Sequence, residues 1–197
     1  EFRDAYLSGQ TQERERIRRD LHDQIGHKLL TMIYAAPDQA NRKLAQETME
    51  QLRELIRALK DEPVSLPNAL IQIRQICEEA CANIDITLHW QDTIDDLDDS
   101  TTLLSTNQYL NTLNIIRELL NNTIRHAKAS TLEISVRFES GVLSINLTDN
   151  GVGFDQENVI AGNGLHNIDS RVKEIGAKIN WQTNSGTHVC IDIPITS

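Results

Sequence analysis

The chain has 197 residues, a formal net charge of −10, and 24% charged against 39% hydrophobic residues. That length suffices for one good core, or for a helical segment plus one domain. The acidic balance argues against nucleic acid as the main partner, and neither a signal peptide nor the roughly 20 apolar residues of a membrane span are found.

Residues 3–36 read as one helix, because Leu7, Ile17, Leu21, Ile25, Leu29, Met32 and Ile33 recur at the spacing of one buried face. Inside this pattern stands Arg18-Arg19-Asp20-Leu21-His22-Asp23-Gln24-Ile25-Gly26-His27. His22 lies at the edge of the apolar stripe, Asp23 follows it, and His27 lies four residues beyond Asp23 on the same side. Gly26 lies four beyond His22, where a side chain would crowd the imidazole. Glycine costs about 1 kcal/mol relative to alanine inside a helix, so its presence asks for a reason. An imidazole beside a carboxylate, with open space above it, suits a nucleophile that a bulky partner must reach. The plain alternative is a solvated histidine at a helix edge.

Pro37 disfavours helical geometry at Ala36 and should end this helix. Asp38 can cap a second one, carrying Leu44, Met49, Leu52, Leu55, Ile56 and Leu59. Two such broad stripes cannot cover one another alone. Pairing two hairpins into a four-helix bundle solves this, so a homodimer is expected. Asp61-Glu62-Pro63 reads as the linker, giving an all-α helical hairpin over residues 1–62 and a second domain over residues 63–197.

The second domain opens with a helix from Leu66 to Ile84, whose Leu70, Ile73, Ile76, Cys77 and Ala80 share one face. Cys77 and Cys81 read as small buried hydrophobes, since no matching Cys or His pair follows at zinc spacing. The three cysteines form no pairing framework and fit a reducing compartment. A strand from Ile84 to Gln91 points Ile84, Ile86, Leu88 and Trp90 one way, and the acidic stretch from Asp92 to Ser100 reads as a solvated loop. A helix from Tyr109 to Lys128 follows, then strands Thr131–Phe138 and Val142–Thr148 joined at Glu139-Ser140-Gly141. A glycine-punctuated loop leads to a helix from about Leu165 to Ile175, and strands Lys178–Thr183 and Thr187–Ile193 close the chain. Helices on one side of a mostly antiparallel sheet make an α+β sandwich.

A second chemical centre lies on the Tyr109–Lys128 helix. Ile116, Leu119, Leu120, Thr123 and Ala127 make its buried face, while Glu118, Asn122, Arg125 and His126 fall on another. A carboxylate, an amide oxygen, a cation and an imidazole in one stripe could hold Mg²⁺ and phosphate oxygens. Mg²⁺ takes few protein oxygens beside waters and phosphates, so a single Asn can be enough. A merely polar outer face is the alternative. Asp149-Asn150-Gly151-Val152-Gly153-Phe154 follows a strand, and Gly162-Asn163-Gly164-Leu165 opens the last helix. Glycines there let backbone approach a ligand, Gly164 at a helix start offers free N–H groups to phosphate, and Asp149 could accept from an adenine amine. Neither a phosphate loop of the G-x-x-x-x-G-K-[ST] kind nor a dinucleotide fingerprint is present.

These motifs resemble those of sensor histidine kinases. Asn122 with its helix resembles the N box, Asp149-Asn150-Gly151-Val152-Gly153 the G1 box, Gly162-Asn163-Gly164-Leu165 the G2 box, and Gly186-Thr187 the terminal Gly-Thr near the adenine. The stretch Arg19-Asp20-Leu21-His22-Asp23 with Gly26-His27 resembles the subfamily of nitrate sensors and membrane-fluidity thermosensors. The likeness covers about residues 13–197. It implies a dimeric four-helix bundle followed by an α+β sandwich of the Bergerat-type ATP-binding fold, with ATP and Mg²⁺ as cofactors.

By that resemblance His22 is the phosphoacceptor, Asp23 orients it and accepts its proton, and His27 ends a D-x-x-x-Q/H phosphatase motif. Asn122 binds Mg²⁺, Glu118 has a polarising role, and Arg125 and His126 contact phosphate. Asp149 reads adenine, and Gly151, Gly153, Gly162 and Gly164 shape the lid, with Leu165 and Thr187 in the same nucleotide-binding set. The implied partner is the receiver domain of a response regulator, and the implied whole protein carries an upstream sensor or membrane domain, this portion being cytoplasmic. Two rival readings are a Bergerat-type ATPase or protein-serine kinase, which leaves the His22 stretch unexplained, and a non-catalytic dimeric scaffold, which leaves the glycine boxes unexplained.

Overall fold

The computed structural model describes residues 16–17, 21–39, 41–42, 44–45, 48–49, 52–53, 56, 62–82, 84–93, 102–153, 163–183 and 185–195, without the side chains of 22–24 and 163. The chain divides into two compact units, Glu1–Glu62 and Pro63–Ser197.

In the first unit a π-helical turn, Leu21–Gly26, runs into α1 (His27–Ala35). Ala36 leaves the helix with ψ of 123°, because the Pro37 ring excludes helical geometry from the residue before it. Asp38 caps the next helical stretch: its Oδ1 accepts from the Asn41 backbone N–H at 2.8 Å and its Oδ2 from Asn41 Nδ2 at 2.7 Å. Leu29, Met49 and Leu52 are buried together, with Leu21, Ile33 and Ile56 packed around them.

The apolar stripe is not covered as a whole. Ile17, Ile25 and Met32 are 38%, 43% and 59% exposed, and Leu44 is 62% exposed. One neighbouring helix shields only one side of so wide a stripe. Leu7, Leu55 and Leu59 lie outside the described residues. Gly26 is buried, and a Cβ there would sit 4.0 Å from Leu52 Cδ2 of the second helical stretch; the side chain of His22 lies outside the described residues.

The second unit is one layer of helices on one sheet. Its strands are β1 (Val64–Ser65), β2 (Thr87–Thr93), β3 (Leu103–Leu104), β4 (Thr131–Glu139), β5 (Val142–Asp149), β6 (Lys178–Thr183) and β7 (Thr187–Pro194). Five of them form a sheet in the order β2-β4-β5-β7-β6, with β2 and β4 parallel and the other pairs antiparallel. A separate antiparallel pair, β1 with β3, was not legible beforehand. The helices are α2 (Leu66–Cys81), α3 (Thr106–Asn122) and α4 (Asn163–Glu174).

Strict alternation sets the core: Leu132, Ile134 and Val136, then Leu143, Ile145 and Leu147, then Val189, Ile191 and Ile193 face inward and join buried side chains of all three helices. Cys77 and Cys81 are part of that core, and burial pushes the Cys77 thiol up to about 12. Ser140 and Gly141, both at positive φ, make a two-residue hairpin loop, with Glu139 still paired to Val142. A capping box between Ser105 and Gln108 starts α3.

Two expectations shift. The first helix ends at Cys81, not Ile84, and the strand begins at Thr87. A tight turn, with the Ile84 N–H donating to the Cys81 carbonyl at 3.2 Å, leaves Ile84 37% exposed. Strand β2 also takes in Asp92 and Thr93, and the rest of the acidic stretch, residues 94–100, lies outside the described residues. No helix among the described residues is long and apolar enough to cross a membrane.

Candidate functional site

Helix α3 and the strands β5, β7 and β6 enclose a cavity of about 530 Å³, lined by Glu118, Leu119, Asn122, Thr123, His126, Ala127, Leu147, Asp149, Gly153, Gly164, Leu165, Trp181, Thr187 and Val189. That is within the ordinary range of small-molecule sites. Its inner end is built on Asp149, the last residue of β5 and only 2% exposed. One carboxylate oxygen, Oδ1, accepts from the Gly151 N–H at 2.9 Å and the Thr187 N–H at 3.2 Å. The other, Oδ2, has the Thr123 hydroxyl at 3.5 Å. A carboxylate accepts about four hydrogen bonds, so Oδ2 keeps capacity for a donor from a ligand.

Close backbone approach shapes this end. A Cβ on Gly151 would overlap the Ala127 carbonyl and lie 2.7 Å from the Ala127 Cβ, and the neighbouring Val152 N–H donates to the same carbonyl at 2.8 Å. Gly186, at φ of 100°, passes so close over Asp149 that a Cβ would overlap its carbonyl oxygen. Asn150, given no role by the motif reading, ties the loop before β4 to the end of β5: its Oδ1 accepts from the Ser130 and Thr131 N–H groups at 2.8 and 2.9 Å. The usable signal was its residue type, since Asn next to a turn commonly bonds nearby backbone.

The other end is polar. Glu118 and Asn122, half-buried, stand one turn apart on α3, with exposed His126 another turn on. A Cβ on Gly164, in the first turn of α4, would overlap Glu118 Oε1. Two turns further along, Arg171 Nη1 donates to the buried Asn111 Oδ1 at 3.1 Å, and Asn111 Nδ2 donates to Asn107 Oδ1 at 2.7 Å and Glu174 Oε2 at 3.3 Å. Both pairs step seven residues along each helix, so α4 runs antiparallel to α3 in one fixed register that brings its first turn to the cavity.

Of the residues singled out from sequence, the cavity gathers Glu118, Asn122, His126, Asp149, Gly153, Gly164, Leu165 and Thr187. Gly151 supports the cavity from behind. Arg125 is exposed and is not among the lining residues. The π-helical turn Thr123–Ala127 explains this: its wider turn swings Arg125, three residues beyond Asn122, off the face, while His126, four beyond, keeps it. Gly162 lies outside the described residues, as do the side chains of His22 and Asp23, whose backbone belongs to the π-helical turn of the first unit. His27 is exposed and lines a groove of about 330 Å³ together with Gly26, Leu30, Met49, Leu52, Arg53 and Ile56. Sequence reasoning missed Trp181, which carries no motif.

The donor set fits a nucleotide with Mg²⁺. The buried Asp149 keeps Oδ2 open to one more donor, and Gly153 and Gly164 line the cavity beside Asn122. Among the described residues no group of three or more His, Cys, Asp or Glu could hold a metal ion. A cation here would therefore rely on Asn122 and on ligand oxygens, the habit of Mg²⁺.

Residues 110–197 match the family described as histidine kinase-, DNA gyrase B-, and HSP90-like ATPase. The chain is similar to the sensor histidine kinase DesK of Bacillus subtilis (strain 168), at 28% identity over 203 residues, covering 94% of this chain and 52% of that protein. It is also similar to the sensor histidine kinase LiaS of the same organism, at 26% identity, covering 94% of this chain and 55% of that protein. The chain thus spans about half the length of the curated relatives it matches. Among solved structures, the Erythrobacter litoralis EL346 blue-light activated histidine kinase superposes with a TM-score of 0.58 at 20% identity, covering 93% of this chain and 60% of that one.

Proposed function

We propose that the chain is a sensor histidine kinase, one that transfers the γ-phosphoryl group of ATP to His22 and then to an aspartate of a response regulator. The observation that carries the reading is the buried Asp149 at the inner end of a cavity whose rim presents Asn122, Glu118 and Gly164.

Asp149 would hold the adenine amine through Oδ2, while Oδ1 stays bound to the Gly151 and Thr187 N–H groups. Asn122 would hold Mg²⁺, which supplies positive charge to the phosphates. Glu118 would polarise the reacting centre, with His126 at the phosphate end. Asp23 would keep His22 in the tautomer whose free nitrogen faces ATP. That nitrogen bonds the γ-phosphorus as the bond to the bridging oxygen breaks, and ADP leaves. Such transfer needs alignment and charge neutralisation more than covalent help. The segment around Glu62 and Pro63, where the units divide, would flex so that the catalytic domain reaches His22 and withdraws.

The first unit would act as a dimer. The exposed Ile17, Ile25 and Met32 belong to a stripe that a second copy can cover in a four-helix bundle. His27 would orient a water toward a phospho-aspartate docked on the hairpin, giving a phosphatase activity toward the same regulator. The reading places this portion in the cytoplasm, joined in the whole protein to a sensing or membrane-anchored part. Incubation with γ-labelled ATP and Mg²⁺ tests it. Acid-labile label is expected on the wild type and none on His22→Gln, which should still bind ADP. Label retained in that variant, or label stable to acid, refutes the assignment.

A further inference from the structure

We propose that Trp181 is a specificity-determining residue of the nucleotide site, supplying an aromatic floor that favours a purine base over a pyrimidine; this rests on the cavity being the nucleotide site. The floor is a row of inward-facing side chains across three strands: Leu147 on β5 pairs with Val189 on β7, which pairs with Trp181 on β6. All three line the cavity. One inward step along the same strands come Asp149, Thr187 and Thr183, with Thr183 paired to Thr187. Inward positions on one strand are about 6–7 Å apart, the width of a ring system. A base whose amine meets Asp149 Oδ2 therefore has the Leu147-Val189-Trp181 row under it.

Trp181 is the only Phe, Tyr or Trp among the described lining residues. Leu147 and Val189 reward any base by burial alone. An indole rewards the larger flat surface of a purine, through stacking and edge contacts that a pyrimidine covers only in part. The position also explains an unusual choice for β6: its other inward residues are Ile179 and Thr183, far smaller than the indole. The competing role is packing alone, since Trp181 also touches the core.

The test uses the whole 197-residue chain. It holds two tryptophans, and Trp90 lies away from the cavity with Nε1 donating to Asp92 Oδ2 at 2.9 Å. In a Trp90→Phe background, Trp181 emission should change saturably with Mg-ADP, at the same Kd as calorimetry reports. Trp181→Leu should bind ADP about tenfold more weakly and lose most of its preference for ADP over CDP, while Trp181→Phe stays within about threefold of wild type. Calorimetric ADP binding with silent Trp181 emission, or an unchanged ADP-to-CDP ratio in a folded Trp181→Leu, overturns the proposal while leaving the nucleotide reading intact. Should Trp181→Leu not fold, the emission and Trp181→Phe arms decide alone. Failure of the wild type to bind any nucleotide overturns both.

Discussion

If Asp149 reads the base, it does two jobs that separate by substitution. In Asp149→Ala the Gly151 and Thr187 N–H groups lose their shared acceptor. Of these, the Thr187 donor is buried and the other half-buried, so the loss is about 2–4 kcal/mol. For a unit of this size, Pro63–Ser197, each kcal/mol moves Tm by roughly 3–5 °C, and the melting point should fall by about 6–20 °C. Asp149→Asn keeps Oδ1 for both donors and gives up only the charge, at about 1 kcal/mol. Its amide N–H₂ then replaces Oδ2 and meets the base amine donor to donor. Losing a hydrogen bond to a charged acceptor costs about 1.5–3 kcal/mol, a roughly ten- to hundredfold loss of Mg-ADP affinity. Calorimetry and thermal melts on both variants decide. If Asp149→Asn binds Mg-ADP within twofold of wild type, the carboxylate does not read the base.

Asn122→Ala should remove most of the difference between ADP affinity with Mg²⁺ and with a chelator, along with self-labelling; a preserved Mg²⁺ effect by calorimetry counts against the metal role. His27→Ala should lose dephosphorylation of the partner regulator while keeping self-labelling, and equal dephosphorylation by wild type and variant would leave His27 a surface residue. Gly151→Ala must push the loop off the Ala127 carbonyl, losing the Val152 hydrogen bond, for about 2–4 kcal/mol. Gly176→Ala, at φ of 65° but with nothing within 4 Å, should cost only about 1–2 kcal/mol; equal falls in Tm for the two would sink the close-approach argument.

Much of this protein is local in origin. Strand alternation, the inward face of α3, the chain reversal at Ala36-Pro37-Asp38 and the hairpin at Ser140-Gly141 all follow from periodicity and turn chemistry among neighbouring residues, and each is found in the structure. The close-packed Gly151 was legible too, since backbone that must pass near other backbone leaves glycine in the chain. What tertiary structure alone decided is what depends on convergence or on helix phase. The partnership of Arg171 with Asn111 spans 60 residues of sequence, and only the antiparallel register of α3 and α4 makes it. The π-helical turn after Asn122 displaced Arg125 from the cavity while His126 kept its place, because the wider turn swings residues three apart off a shared face. Trp181 looked like any inward residue of an edge strand; it reached the cavity because β6 pairs with β7 in a register that sets it beside Val189. Short-range pattern determines which face a side chain takes, and only the packed sheet determines what that face adjoins.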